Sequence, residues 1–183
     1  MKAIGGKMKM FSRISKTLLV FLALLFTHSS AQEPAKSVAA VDFTARDLDG
    51  KKVQLKTFLA SGPVLLDFWA LWCVPCLKEM PQLQKLAEQY RKQGLTVIAV
   101  NQDSPSDQSK VKPFVKQKRY DFVVVLDEDK DLAKQFNVNI LPTTFLLDQS
   151  GKVVYSHTGY KPGDEAKLAE QISKLFASGG RTQ

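Results

Sequence analysis

The sequence predicts one α/β domain, built as a central mixed β-sheet with helices on both faces. Three observations carry this. Short alternating segments flank turn residues near both ends of the domain, at Asp49-Gly50 and at Asp148-Gln149-Ser150-Gly151. Between them lie three apolar runs without clear alternation, the pattern of strands covered on both faces. Helical periodicity separates those runs, so strands and helices alternate along the chain.

The first 31 residues stand apart from this pattern. Lys2, Lys7, Lys9, Arg13 and Lys16 precede the apolar run from Leu18 to Phe26, and no acidic residue occurs before Glu33. The run is shorter than the ~20 apolar residues that span a bilayer, and Ser29-Ser30-Ala31 supplies the small residues of a cleavage site. A secretory signal peptide over 1–31 is expected, with a mature start near Gln32; an uncleaved anchor is the alternative. No cysteine lies near the cleavage site, which excludes a lipid anchor on a processed amino-terminal cysteine. Removing this segment takes away 5 of the 26 basic residues and leaves 21 against 18 acidic ones, a net charge of +3. The basic residues that remain are scattered among acids, so nucleic-acid binding has no support.

Residues 32–40 (QEPAKSVAA) form an expected flexible lead-in. The hairpin VDFTARDLDGKKVQL follows, and then Pro63 to Trp69 (PVLLDFW) reads as a buried strand. From Cys73 the pattern turns helical. Cys76, Met80, Leu83, Ala87 and Tyr90 share one face, with Glu79 on it, while Lys78, Lys85 and Glu88 point away. Leu95 to Asn101 is the next buried strand, Gln108 to Arg119 a polar helix, Phe122 to Leu126 a third strand and Lys130 to Phe136 a short helix. Phe145 to Leu147 and Val153 to Tyr155 form the second hairpin, with His157 beyond it in solvent. A last helix over Glu165 to Ala177 precedes a frayed tail.

Both cysteines of the chain, Cys73 and Cys76, lie in DFWALWCVPCLKEMP, where the apolar strand gives way to the helix. Three residues apart at a helix start, they sit one turn from each other, near the ~5.5 Å Cα separation a disulfide prefers. The helix amino terminus directs N–H groups and partial positive charge at Cys73 and favours its thiolate, the attacking species in disulfide exchange. Cys76, one turn inside the helix, is the more buried partner. Zinc would need four ligands, and after processing the chain offers two cysteines and His157. A copper site would want a nearby histidine or methionine, and Met80 sits on the apolar face. A purely structural disulfide closing so short a loop would constrain the unfolded chain least.

The segment Asp67-Phe-Trp-Ala-Leu-Trp-Cys-Val-Pro-Cys resembles the strand and active-site turn of thioredoxins. The exported amino terminus, the early hairpin, the inserted segment around 103–126 and NILPTTFLLDQSGKVV are similar to the TlpA/ResA-type extracytoplasmic thiol-disulfide oxidoreductases. The resemblance covers roughly residues 41–178, with 179–183 as flexible tail. It implies a thioredoxin-like fold with an N-terminal β-hairpin extension and a central αβ insertion. It also implies that Cys73 forms a mixed disulfide with the substrate, that Cys76 resolves it, and that Pro142 is a cis-proline facing the cysteines. Substrate would then meet Trp72, Val74, Pro75, Leu141 and Pro142, with Leu141 offering backbone pairing; packing is the alternative role for Trp72.

Asp67 interrupts a buried apolar run and Glu79 lies on a buried helical face, so each is a candidate proton acceptor near the thiols. The alternatives are that Pro81 kinks the helix and turns Glu79 to solvent, and that Asp67 is a strand-end residue bonded to backbone. The resemblance matches Asp67 to an acid of thioredoxins and Glu79 to an acid of ResA-type proteins; here both occur. Negative charge near Cys76, and a Val74-Pro75 dipeptide without a cation, disfavour thiolates and favour a reductant. The expected protein is an extracytoplasmic enzyme of the bacterial periplasm that needs no bound cofactor and works as a monomer. It would reduce disulfides of exported proteins, as in apocytochrome c maturation, and draw electrons from a membrane thiol carrier. Two other readings stay open: a Cu(I)-binding assembly factor using Cys73 and Cys76, and a peroxide-reducing protein on the related peroxiredoxin fold, though the PxxxTxxC turn of that group is absent.

Overall fold

The computed structural model describes residues 42–179. The expected signal peptide (1–31), the lead-in (32–40) and residues 180–183 of the tail lie outside the described residues. Among the described residues no helix is long and apolar enough to cross a membrane.

Strands β1 (Thr44–Asp47) and β2 (Lys52–Gln54) form the first hairpin, antiparallel in a register that pairs Thr44 with Gln54. Gly50 turns it at φ 76°, a conformation open to glycine at little cost. The chain then enters α1 (Leu55–Leu59), where the sequence pattern ends the hairpin at Leu55 and assigns no element to the residues that follow. Leu55, Phe58 and Leu59 recur at helical spacing and pack on one core cluster, and Leu55 N–H donates to Phe43 O at 3.1 Å, which ends the strand there. Five residues are too few for that periodicity to stand out against the flanking alternation.

The remaining elements are β3 (Val64–Trp69), α2 (Val74–Tyr90), β4 (Thr96–Asn101), α3 (Gln108–Lys118), β5 (Val123–Leu126), α4 (Asp131–Gln135), β6 (Thr143–Leu147), β7 (Val153–Thr158) and α5 (Asp164–Ala177). They complete a seven-stranded sheet of order β2-β1-β5-β4-β3-β6-β7. β3, β4 and β5 are parallel, with α2 and α3 as the crossovers, and β6 runs antiparallel to β3. The central insertion places β5 between β4 and the amino-terminal hairpin, where Arg46 pairs with Leu126.

Every residue of β3 is buried, and its alternation divides the core in two. Leu65 and Trp69 join side chains of α2, α3 and α5 on one face, among them Met80, Val111 and Ile172. Val64, Leu66 and Phe68 join α1 and α4 on the other. By the same alternation Asp67 lies on the face of Leu65 and Trp69, under α2.

Candidate active site

The site forms where β3 ends and α2 begins. Gln102 N–H donates to Trp69 O at 2.7 Å, and Leu71 N–H donates to the Asp103 carboxylate at 2.9 and 3.2 Å, so the turn leaving β3 is tied to the end of β4. Cys73 is the N-cap of α2 with extended backbone (φ −86°, ψ 95°), and its Sγ accepts from Cys76 N–H at 3.3 Å. Pro75, in the first turn, removes an N–H that has no helical partner in any case. Cys73 and Cys76 are joined in a disulfide with a Cα separation of 5.3 Å. Cys76 is fully buried and Cys73 is 4% exposed, so the outer sulfur is the one a partner can reach.

Around that sulfur the surface is apolar. Trp72 and Val74 are 67% and 61% exposed, as is Ile140 at 62%, on the loop entering β6. The Leu141–Pro142 peptide bond is cis. Phe68 pairs with Thr143 across β3 and β6, so Pro142 continues beside the end of β3 where the cysteine turn begins. Thr143 Oγ1 donates to Ile140 O at 2.7 Å and Gly159 N–H to Pro142 O at 2.8 Å, which fixes this loop from both sides. Trp72 and Leu141 line a shared groove of about 430 Å³ with Gln102, Lys130, Lys134 and Asn139. Pro75 is exposed in the first turn of α2.

Asp67 and Glu79 meet on the inner side. Asp67 is 1% and Glu79 4% exposed. Glu79 follows Cys76 by three residues on α2, the spacing of side chains stacked on one helical face. α2 continues through Pro81, which is exposed, and the Glu79 carboxyl stays inside. Asp67 lies within β3 and pairs with Thr144 of β6. Thr144 Oγ1 lies 3.1 Å from Asp67 Oδ1 and 3.2 Å from Glu79 Oε1.

A hydroxyl carries one proton, so it cannot donate to two carboxylates at once. Both contacts are hydrogen bonds when one carboxyl is protonated and donates to Thr144, while Thr144 donates to the other. The other oxygens, Asp67 Oδ2 and Glu79 Oε2, are buried without a protein partner. Burial pushes both carboxyls well above the usual range, and the Asp67 charge raises Glu79 further; the Thr144 hydroxyl opposes both shifts in part. The pair shares a proton under conditions where exposed carboxyls hold none.

Several participants do not stand out in the sequence. Thr144 sits in the quoted LPTT, but only the β3–β6 register brings it to Asp67. Asp103 belongs to Asn101-Gln102-Asp103, all buried, and the available signal was a polar triplet directly after the apolar run of β4. His157, expected past the hairpin in solvent, lies within β7, half-buried, with Nε2 3.2 Å from Asp164 Oδ2. The strand extends to Thr158 because Thr143 and Thr144 give Thr158 and His157 partners.

The sheet order, the cis-proline loop and a disulfide capping α2 define a thioredoxin-like fold with a thiol-disulfide redox centre. Comparison with known proteins is concordant. Residues 37–156 match the AhpC/TSA family model. Thiol-disulfide oxidoreductase ResA of Bacillus thuringiensis subsp. konkukian is 38% identical over 150 residues, covering 82% of this chain and 83% of that protein. The ResA of Halalkalibacterium halodurans is 32% identical over 92% of this chain and 95% of its own length. Among solved structures, a putative thiol:disulfide interchange protein DsbE from Chlorobium tepidum superposes with a TM-score of 0.70 at 32% identity, covering 78% of this chain and 98% of that one. The chain belongs to the AhpC/TSA family, as a ResA-type thiol-disulfide oxidoreductase.

Proposed function

We propose that this oxidoreductase acts outside the cytoplasm, in the bacterial periplasm, as a monomeric reductant of disulfides in exported proteins, apocytochrome c among them. The leader pattern of residues 1–31 supports the compartment. In the proposed cycle the Cys73 thiolate, favoured by the Cys76 N–H and the start of α2, attacks a substrate sulfur. The substrate disulfide breaks, and its departing thiolate takes a proton. Cys76 then loses its proton to the carboxyl pair, its sulfur attacks Cys73 Sγ, and the second substrate thiolate leaves. Two electrons have moved to the substrate and the enzyme holds its disulfide. A dithiol carrier in the membrane returns the two electrons.

The observation that carries this reading is the placement of two buried carboxyls, each with an unpaired oxygen, on the inner side of the disulfide. Negative charge there disfavours the reduced centre's thiolates, and Val74-Pro75 adds no cation to offset it, so the dithiol gives up electrons readily. Trp72, Val74, Pro75, Leu141 and cis-Pro142 form the surface on which the substrate chain lies. A Cys76→Ala variant tests the scheme by stalling substrates on Cys73. Exported proteins carrying reducible cytochrome-type cysteine pairs are expected in that trap and absent from a Cys73→Ala control; identical catches from both sink the reading. Equilibration with glutathione should give a potential well below the ~−120 mV of a strong oxidant.

A further inference from the structure

The polar row under α2 does not stop at the carboxyl pair. Asp67 on β3 pairs with Thr144 on β6, and Thr144 pairs with His157 on β7, the edge strand. Cross-strand partners project to the same face, so the three side chains cross the sheet in line, from the site to its rim. Between Glu79 and the rim lies a cavity of about 10 Å³, measured as room for the centre of a water. That is close to the smallest space one water occupies, and such a water needs two to four polar partners. Glu79, Thr144, Tyr155, His157, Asp164 and Glu165 are among the residues that line it, with leucines of α2 and α5 among the rest. Glu79 brings to this neighbourhood an oxygen, Oε2, that is buried and has no protein partner.

The far wall reaches solvent. The side chains of His157 and Asp164 are 33% and 35% exposed. Around His157, β7 contributes Tyr155, whose ring stacks on the imidazole, α2 contributes Glu79, and α5 contributes Asp164 and Glu165. Lys161 N–H donates to Asp164 Oδ2 at 2.7 Å; Gly163 N–H and Tyr160 OH donate to Glu165 Oε2, each at 2.9 Å. The Lys161 N–H holds Asp164 below the usual range, and the Glu165 backbone N–H, with Tyr160 and Gly163, does so for Glu165, so the two remain anions. That leaves the imidazole as the group at the rim that can both take and give a proton.

We propose that Glu79, a water in this cavity and His157, steadied by Asp164, form a proton exit from the redox centre at the β7 edge of the sheet. The inference rests on the proposed role of Glu79 and Asp67 as acceptors of the Cys76 proton. Its logic is one of access. In the mixed disulfide the substrate covers the face of Trp72, Val74 and Pro142, which closes the direct way to solvent. The proton leaving Cys76 passes to the carboxyl pair, from Glu79 to the cavity water, from there to His157, and then to buffer. The sulfur electron pair meanwhile forms the Cys76–Cys73 bond, and the departing substrate thiolate is protonated from solvent. His157 is a positioning residue for the proton and touches no reacting sulfur.

The test uses the reduced enzyme and the aromatic disulfide DTNB. The first coloured thiolate released reports attack by Cys73, and the second reports attack by Cys76 on the mixed disulfide. In Glu79→Gln the second release should slow by roughly a hundredfold, as for loss of a direct proton acceptor. In His157→Gln it should slow by about fivefold in dilute buffer, less than for the acceptor itself. Added imidazole should restore the His157→Gln rate, and the first release should be unchanged. Asp164→Asn should show a smaller slowing with the same rescue. If His157→Gln matches the wild type at every buffer concentration while Glu79→Gln is slow, the exit is overturned and the acceptor reading stands. If Glu79→Gln is as fast as the wild type, the acceptor reading fails and the exit falls with it. A slowing that imidazole does not relieve, or that appears equally in the first release, also overturns the exit.

Discussion

Two clusters of buried acids lie close to the disulfide, and they are wired in opposite ways. Asp103 and Asp127 are 1% and 5% exposed and are surrounded by donors. Asp103 accepts from Leu71 N–H and from Asn101 Nδ2 at 2.7 Å; Asp127 accepts from Leu132 N–H at 3.0 Å, Ala133 N–H at 2.9 Å and Gln102 Nε2 at 2.8 Å. Asp67 and Glu79 are equally buried but share one hydroxyl and leave two oxygens unpaired. A buried carboxylate that receives several N–H groups is held by them and fixes the backbone that supplies them. One that lacks donors holds a proton instead. The first cluster therefore positions the cysteine turn and the start of α4, while the second is placed to exchange protons.

The largest expected effect comes from breaking the first cluster. Asp103→Ala removes the acceptor of both Leu71 N–H and Asn101 Nδ2 and leaves two buried donors unsatisfied. Stability should fall by about 3 kcal/mol, since each orphaned buried group costs roughly 1–3 kcal/mol. Urea unfolding measures this, and a loss below about 1 kcal/mol would mean that the network is not what holds the turn.

The second cluster predicts the opposite sign and a pH dependence. The Asp67 pKa is raised in the folded protein, so above the unfolded value the native state binds more protons than the unfolded chain. Its contribution is therefore absent below the unfolded pKa and becomes a growing penalty as pH rises toward the folded pKa, then levels off. Asp67→Asn removes that penalty while keeping the shape and an acceptor for Thr144. The variant should match the wild type near pH 3 and exceed it at pH 8 by at least about 1.4 kcal/mol, the worth of one tenfold difference in proton affinity between the folded and unfolded chain. A stability difference that does not change with pH would contradict this assignment. The same substitution should slow Cys76 attack at pH 7, so the variant would trade activity for stability.

The contrast between the clusters also marks what could be read from the sequence. The strand runs, α2 and its apolar face were legible because periodicity over many residues repeats one signal. Asp67 and Glu79 stood out because each breaks an apolar pattern. Partnership was not legible: Thr144 reaches Asp67 across 77 positions, and Leu71 N–H reaches Asp103 across 32. Such contacts depend on strand register and crossover geometry, which local pattern does not encode. His157 was misplaced for the same reason, since its strand partners lie on β6. The helix α1 escaped because LKTFL is a single turn and a half, and its first residue also fits the preceding strand's alternation.

The smallest effect, and the sharpest test of the shared hydroxyl, is Thr144→Val. The exchange keeps the branched shape at a site with 1% exposure and takes away the hydroxyl, so the lost hydrogen bonding is its main effect. It removes the one donor that lowers both carboxyl pKa values, and both should rise further. By the sign worked out for Asp67, the added penalty appears only above the unfolded carboxylate pKa. The loss should be smaller near pH 3, where only the bonds of protonated carboxyls to the hydroxyl are missing, and grow by about 1 kcal/mol by pH 8, the net worth of one buried hydrogen bond. Thermal unfolding across that range separates the outcomes. A loss of the same size at both pH values would mean that the hydroxyl does not favour the charged carboxyl over the neutral one. In the Asp67→Asn background the hydroxyl no longer mediates between two acids, so the pH-dependent part of the Thr144→Val loss should shrink, and the shortfall from additivity measures how strongly one proton couples the pair.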